Sequence, residues 1–277
     1  GARTIDCSGT GGSGQAHFNT STTVAFVLAA AGLPVAKFGG RAASSKAGSF
    51  DFLEGLGISS ALPPEAIGDA IENCGVAFIL AAGIYPQLKR LAPLRKQFGR
   101  PTVLNYIGPL LNPVRPAMRL MGVSSEALRP LIAKYLLKSG YCKNAMIVTG
   151  GQSLDELSVE DQNSISRIKD GLLTEESLSG PDIFSKRIRQ LREIPEIRST
   201  EYDLSQNLRI FDEIASGRDD QSRFHKMVVL NSSAALLVSG KVASLDEGIR
   251  CAADLISSGQ VAEKVEMCRG YYAKFSS

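Results

Sequence analysis

Four groups of residues in this sequence could do chemistry together, and three of them favour a bound anion. The first is the glycine loop Gly9-Thr10-Gly11-Gly12-Ser13-Gly14, whose small residues leave backbone N–H groups uncovered. The second is Asn19-Thr20-Ser21-Thr22, which places amide and hydroxyl donors where a helix begins. A helix N-terminus carries about half a unit of positive charge and attracts phosphate. The third, Lys37 to Lys46, adds the cations Lys37, Arg41 and Lys46 and the hydroxyls of Ser44 and Ser45. The fourth is the acidic pair Asp155-Glu156 beyond the turn Gly150-Gly151. Adjacent carboxylates at a strand's end can hold Mg²⁺ beside a polyphosphate. An acidic pair alone is commonplace; beside two anion-binding loops it points to a ligand with separated phosphates and a divalent cation.

The elements that must position these groups alternate in type. Residues 4–7 read as a strand feeding the glycine loop, and 20–31 as a helix apolar enough to be buried, closed by Gly32. Residues 34–37 form a strand leading into the basic loop. Helices follow at 50–56 and 65–73, a buried strand at 75–81, and a helix at 86–98. Next come a strand at 119–123, a helix at 125–139 and a strand at 145–149. Residues 165–169 and 171–173 form a small polar excursion with strand character. The remainder is helical, around 208–215, 222–239, 244–258 and 261–275. In it Met227, Val228, Leu230, Ala234 and Leu237 make a core stripe, with His225 exposed. This alternation predicts an α/β fold, a largely parallel sheet flanked by helices. No linker divides the chain, so residues 1–277 are expected to form one α/β domain.

Charge and composition narrow the function. The chain has 31 Lys+Arg and 28 Asp+Glu, a net charge of +3. All of that excess falls in residues 1–50, where Arg3, Lys37, Arg41 and Lys46 face Asp6 alone. From Cys7 to Phe50 there is no carboxylate. The overall charge is too small to indicate nucleic acid, whereas an acid-free segment suits a local anion site. Only His17 and His225 are present, which excludes a histidine-rich metal centre. Cys7, Cys74, Cys142, Cys251 and Cys268 are scattered without a CxxC pair, as suits reduced core residues in a cytoplasmic protein. No apolar run reaches the roughly 18 residues of a membrane helix.

The glycine loop matches GxGxxG, but a dinucleotide site also wants an acid about 20 residues further on. No acid follows until Asp51, which argues against that class. The P-loop pattern is missing as well.

Taken in order, Gly9-Thr10-Gly11-Gly12, Asn19-Thr20-Ser21-Thr22, the loop from Lys37 to Ser49, and Pro93-Leu94-Arg95 resemble one family. So do Asn105-Tyr106-Ile107-Gly108-Pro109-Leu110-Leu111-Asn112-Pro113, Asp155-Glu156-Leu157-Ser158 and the stretch from Asn231 to Gly248. The family is that of the anthranilate phosphoribosyltransferases, whose fold is shared with type II nucleoside phosphorylases. The resemblance covers almost the whole chain. It implies Mg²⁺-dependent transfer of phosphoribosyl from 5-phosphoribosyl-1-pyrophosphate (PRPP) to anthranilate, in tryptophan biosynthesis. It implies PRPP contacts from Gly9, Gly12, Ser13, Asn19, Ser21, Thr22, Lys37, Gly39, Arg41, Ser44, Ser45 and Ser49. Metal contacts are implied for Ser21, Asp155 and Glu156, and acceptor contacts for Gly9, Gly40, Tyr85, Arg95 and Gly108. No residue is implied as a general acid or base, since an aniline-type nitrogen needs little activation.

The sequence departs from the family pattern at Ser13 (usually Asp), His17 (Thr), Gly40 (Asn) and Tyr85 (His), and Phe38 stands in the loop that usually reads KHGNR. Phe38, Gly40 and Tyr85 fall on the acceptor side. A different aromatic or amine acceptor is therefore a second reading, and a non-catalytic nucleic-acid-binding relative a third. The family also carries a small helical domain ahead of the glycine loop, through which it dimerises. The loop starts here at residue 9, so that domain is read as absent or trimmed and the homodimer stays open.

Overall fold

The computed structural model describes residues 3–13, 18–41, 48–59, 62–87, 97, 102–151, 153–185, 203–219 and 222–275. Among the described residues seven strands form one sheet: β1 (Ile5–Asp6), β2 (Val35–Gly39), β3 (Val76–Leu80), β4 (Met118–Gly122), β5 (Asn144–Gly150), β6 (Gln162–Lys169) and β7 (Leu172–Ser179). Their order is β3-β2-β1-β4-β5-β6-β7, parallel from β3 to β5 and antiparallel from β5 to β7.

Helices cover both faces, and the strands show why. In β5, Met146 and Val148 join the larger core while Ala145 and Ile147 point into a second cluster. That period of two puts apolar side chains on both sides of a buried strand. The larger core is filled by α1 (Thr20–Ala30), which is buried almost all round and packs on α9 (Arg223–Ser239). The second cluster lies under α6 (Arg129–Ser139). Shorter helices are α2 (Ser49–Gly55), α3 (Ile67–Cys74), α4 (Ala81–Ile84), α5 (Val103–Ile107) and α7 (Gly180–Ser185). The remaining three are α8 (Leu204–Ala215), α10 (Leu245–Ser257) and α11 (Gln260–Tyr272).

Several expectations need correction. The polar excursion is a full hairpin of two eight-residue strands, β6 and β7. It turns at Asp170-Gly171, with φ values of 52° and 76°, the backbone of a tight two-residue hairpin. The strand expected at 34–37 runs on to Gly39, which places Lys37 inside the sheet. His225 is buried, because α9 is sheathed on nearly every side. The helix expected at 86–98 lies almost wholly outside the described residues. Four cysteines are buried and Cys251 is half-buried, all with free thiols.

One buried polar network joins the segments around β1. Asp6 Oδ1 accepts from the Ser8 backbone N–H at 3.1 Å, and Oδ2 accepts from Asn112 Nδ2 at 3.0 Å. The Ser8 hydroxyl lies 2.5 Å from Asp6 Oδ1 and 2.6 Å from the Phe38 carbonyl, so its single proton serves one at a time. Asn112 donates a second bond to the Ala36 carbonyl at 2.8 Å. Arg119 pairs with Asp6 at 3.4 Å and donates to the Pro109 carbonyl at 2.8 Å. Both charges are 1% exposed. Removing one partner of such a pair leaves an uncompensated buried charge. Asp6→Ala is thus expected to cost about 3–5 kcal/mol in urea unfolding, with Asp6→Ala/Arg119→Met recovering a good part. A double variant whose loss equals the two single losses added together would contradict the coupling.

Candidate active site

The site lies where the chain changes direction across the sheet. From β1 it proceeds outward to β2 and β3, and it returns to β4 on the opposite side of β1. Neighbouring strands whose connections leave in opposite directions open a crevice beyond their carboxyl ends, where open α/β sheets bind ligands. A cleft is found there, walled by Cys7, Gly9, Ser21, Gly122, Asp155 and Glu156.

The acidic pair reaches this cleft because two glycines make room for it. A Cβ on Gly9 would stand 2.5 Å from Asp155 Oδ2 and 2.8 Å from the Asp155 carbonyl oxygen. A Cβ on Gly122 would collide with that carbonyl outright. From behind, Leu157 is clamped by Asn231, whose Oδ1 accepts from its N–H at 2.9 Å and whose Nδ2 donates to its carbonyl at 3.1 Å. Asn163 Oδ1 accepts from the Ser158 N–H at 2.7 Å. In front, Asp155 Oδ2 accepts from the Gly11 N–H at 2.6 Å, so the acid pair and the glycine loop meet as the sequence suggested.

The start of α1 faces the same cleft with no acid in its first turn and no side-chain cap. Thr20 and Ser21 line the wall. The hydroxyls of Thr20 and Thr22 are buried and make no hydrogen bond among the described residues. Asn19 is differently engaged: its backbone N–H and Nδ2 both donate to Asn207 Oδ1, at 3.0 and 3.2 Å, which ties α1 to α8.

Lys37 is 5% exposed, and no carboxylate lies within ion-pair distance of it among the described residues. Buried charges are normally paired. Burial pushes the neighbouring Cys7 thiol up to about 12 against the opposing pull of the Lys37 ammonium, so the cleft floor adds no negative charge near neutral pH.

Arg41 has ion-pair partners of its own. Its guanidinium is held by Asp51 at 3.0 Å and by both carboxylate oxygens of Glu54, on α2. The charge reading counted Arg41 toward the anion site; the fold gives it two partners of its own. Ser49 Oγ donates to the Gly40 carbonyl at 3.2 Å, bracing the turn after Gly39. Ser13 ends the described part of the glycine loop.

Of the residues the resemblance places at the acceptor, Tyr85 donates its hydroxyl to the Leu111 carbonyl at 2.9 Å. Its ring meets Phe38 edge-on, with centroids 6.3 Å apart. This ties the end of α4 to the 3₁₀ turn Gly108–Leu111. Gly40 and Gly108 both border open space. His17, Ser44, Ser45, Lys46 and Arg95 lie outside the described residues.

Sequence reasoning gave no role to Asp6, Asn112, Ser124, Asn163 or Asn231, all of which hold the site's segments. Asn231 had a usable signal, a carboxamide amid the apolar run of α9. Asp6 had another, as the lone acid of the first fifty residues.

Among the described residues no three His, Cys, Asp or Glu side chains are grouped to hold a metal. Asp155 and Glu156 could hold Mg²⁺ together with ligand oxygens and water, the coordination Mg²⁺ favours. Their hard oxygen donors and the glycine cradle that admits Asp155 fit that ion.

Known proteins are similar to this chain in sequence and fold. The family model described as "Glycosyl transferase family, a/b domain" matches residues 1–262. Anthranilate phosphoribosyltransferase of Bacillus cereus (strain B4264) is 38% identical over 263 residues, covering 95% of this chain and 74% of that protein. The enzyme of the same name from Petrotoga mobilis is 38% identical over 262 residues with the same coverage. The crystal structure of anthranilate phosphoribosyltransferase from Thermus thermophilus superposes with a TM-score of 0.85 at 31% identity, over 98% of this chain and 78% of that one. The Saccharomyces cerevisiae enzyme in complex with PRPP and Mg gives 0.85 at 28% identity, over 99% and 74%. At this identity and coverage the chain belongs to the glycosyl transferase a/b-domain family, among the anthranilate phosphoribosyltransferases.

Proposed function

We propose that this chain transfers the phosphoribosyl group of PRPP to anthranilate with Mg²⁺, releasing pyrophosphate and N-(5-phosphoribosyl)anthranilate, and that residues 1–277 act as one α/β catalytic domain. The observation that carries the reading is Lys37, a buried ammonium without a counter-charge among the described residues, beside a glycine loop and an uncapped helix start. A diphosphate supplies the missing charge.

In this reading Gly9 and Gly12 line the diphosphate, and Asn19, Ser21 and Thr22 give donors at the start of α1. Lys37 neutralises the departing oxygens, with Ser13, Gly39 and Ser49 along the two loops; Arg41 joins by exchanging its carboxylate partners for phosphate. Ser44 and Ser45 belong to the same group. Asp155 and Glu156, with Ser21, would hold Mg²⁺, which when bound neutralises the charge that develops on the leaving group. As the C1–O bond to pyrophosphate breaks, ribose C1 gains oxocarbenium character and the anthranilate nitrogen bonds to it. The nitrogen then loses a proton to solvent. Gly40, Tyr85, Arg95 and Gly108 surround the acceptor.

No helix among the described residues is long and apolar enough to cross a membrane. A cytoplasmic setting suits the buried free thiols, which persist under reducing conditions.

Anthranilate fluorescence followed with the chain, PRPP and Mg²⁺ tests the activity. Signal loss that requires both PRPP and Mg²⁺ is expected; no loss at high protein concentration would overturn the anthranilate assignment. Asp155→Asn combined with Glu156→Gln is expected to slow turnover by at least about a hundredfold at saturating PRPP. Full activity in that variant would remove the metal role. Lys37→Met is expected to raise folding stability by about 1 kcal/mol or more, because it deletes an unpaired buried charge, while weakening PRPP binding roughly a hundredfold. A variant that loses stability and keeps PRPP affinity would contradict the reading of Lys37.

A further inference from the structure

The segment leaving β4 grips the glycine loop from beneath. The Thr10 N–H donates to the Gly122 carbonyl at 2.9 Å, and the Ser124 N–H donates to Thr10 Oγ1 at 3.1 Å. The Ser124 hydroxyl donates to the Gly11 carbonyl at 2.8 Å, with Thr10 Oγ1 a further 3.3 Å contact. No reading of the sequence gave Ser124 a role.

The residues it grips need holding. Gly11 and Gly12 have φ values of 64° and 80°, a left-handed backbone that glycine reaches freely and leaves as freely. Without side chains they have nothing of their own to fix the peptide between them. That peptide is planar and trans, so its C=O and N–H point in opposite directions. Anchoring the Gly11 carbonyl on Ser124 therefore sets the direction of the Gly12 N–H, away from Ser124. The Gly11 N–H is directed separately, onto Asp155. A Cβ on Gly12 would lie 3.8 Å from Ser124 Oγ, so the hydroxyl sits beside both glycines. Two amides of the loop are thus aimed by two different parts of the sheet: Gly11 by the segment after β5, Gly12 by the segment after β4.

We propose that Ser124 is a positioning residue for the diphosphate of PRPP, holding the Gly11–Gly12 peptide so that the Gly12 N–H is presented to the ligand. The inference rests on the reading of this cleft as the PRPP site. Ser124 is half-buried at the loop and contributes nothing to either apolar core, so its effect is expected in ligand affinity and not in folding.

The test compares wild type, Ser124→Ala and Ser124→Thr by calorimetric titration with PRPP and Mg²⁺ in the absence of acceptor, alongside steady-state kinetics. Ser124→Ala is expected to raise Kd and KM for PRPP roughly fivefold, the worth of one hydrogen bond, with kcat and the anthranilate KM within about twofold. Its Tm should move by less than about 2 °C, and Ser124→Thr, which keeps the hydroxyl, should restore PRPP affinity. Unchanged PRPP affinity in Ser124→Ala, beside a wild type that binds, overturns this role alone. So does a loss that Ser124→Thr fails to restore. A wild type that does not bind PRPP overturns the reading of the cleft itself.

Discussion

The arrangement depends on one buried carboxylate. Asp6 closes β1, and through it four separate stretches of chain are brought to fixed positions: the start of the glycine loop at Ser8, the end of β2, the turn ending at Asn112, and Arg119 on β4. Each stretch leads directly to part of the cleft. Asp6 is almost fully satisfied by hydrogen bonds and an ion pair at 1% exposure, so it has no negative charge to spare for the cleft. This resolves the oddity of a single acid in an otherwise acid-free segment. That acid organises the segments around the cleft from below without adding negative charge to it.

Above that network the site is built to stay electrostatically incomplete. Lys37 is buried without an ion-pair partner among the described residues, the first turn of α1 has no acid or side-chain cap, and Cys7 is kept neutral by burial. The first two features cost stability in the empty protein, since buried charges and helix ends ordinarily acquire partners. Among the described residues the acids lining the cleft are Asp155 and Glu156, on the far side, carried on a segment for which Gly9 and Gly122 make room. Cationic and donor groups therefore lie on the β1–β2 side and the Asp155 and Glu156 carboxylates on the β5 side, with the cleft between them.

Much of this was legible in the sequence, for identifiable reasons. The glycine loop, the hydroxyl-rich start of α1 and the acid pair are local patterns, and their chemistry follows from residue type alone. The alternation of apolar segments was enough to place the parallel strands to within a few residues. Three things were not legible. The carboxylate partners of Arg41 were hidden because nothing local tells that Asp51 and Glu54 fold back on it from α2. The length of β7 was hidden because Leu172–Ser179 is a sheet edge whose exposed Thr and Glu residues erase the hydrophobic alternation, although Asp170-Gly171 marked the turn. Lys37 was read as the last residue of its strand, at the head of the basic loop, whereas the pairing of Phe38 with Ile79 and Gly39 with Leu80 extends β2 past it. That extension turns a lysine at a strand's end into a buried one with no ion-pair partner among the described residues.

The central claim is that the crevice between β1 and β4 is an anion site waiting for a diphosphate and its metal ion. Calorimetric titration of the unmodified chain with inorganic pyrophosphate, with and without Mg²⁺, tests it most directly, since no acceptor or turnover is involved. The account predicts one site per chain, with affinity that rises when Mg²⁺ is present and falls as salt is added. Absence of binding, or binding indifferent to both Mg²⁺ and salt, would contradict it.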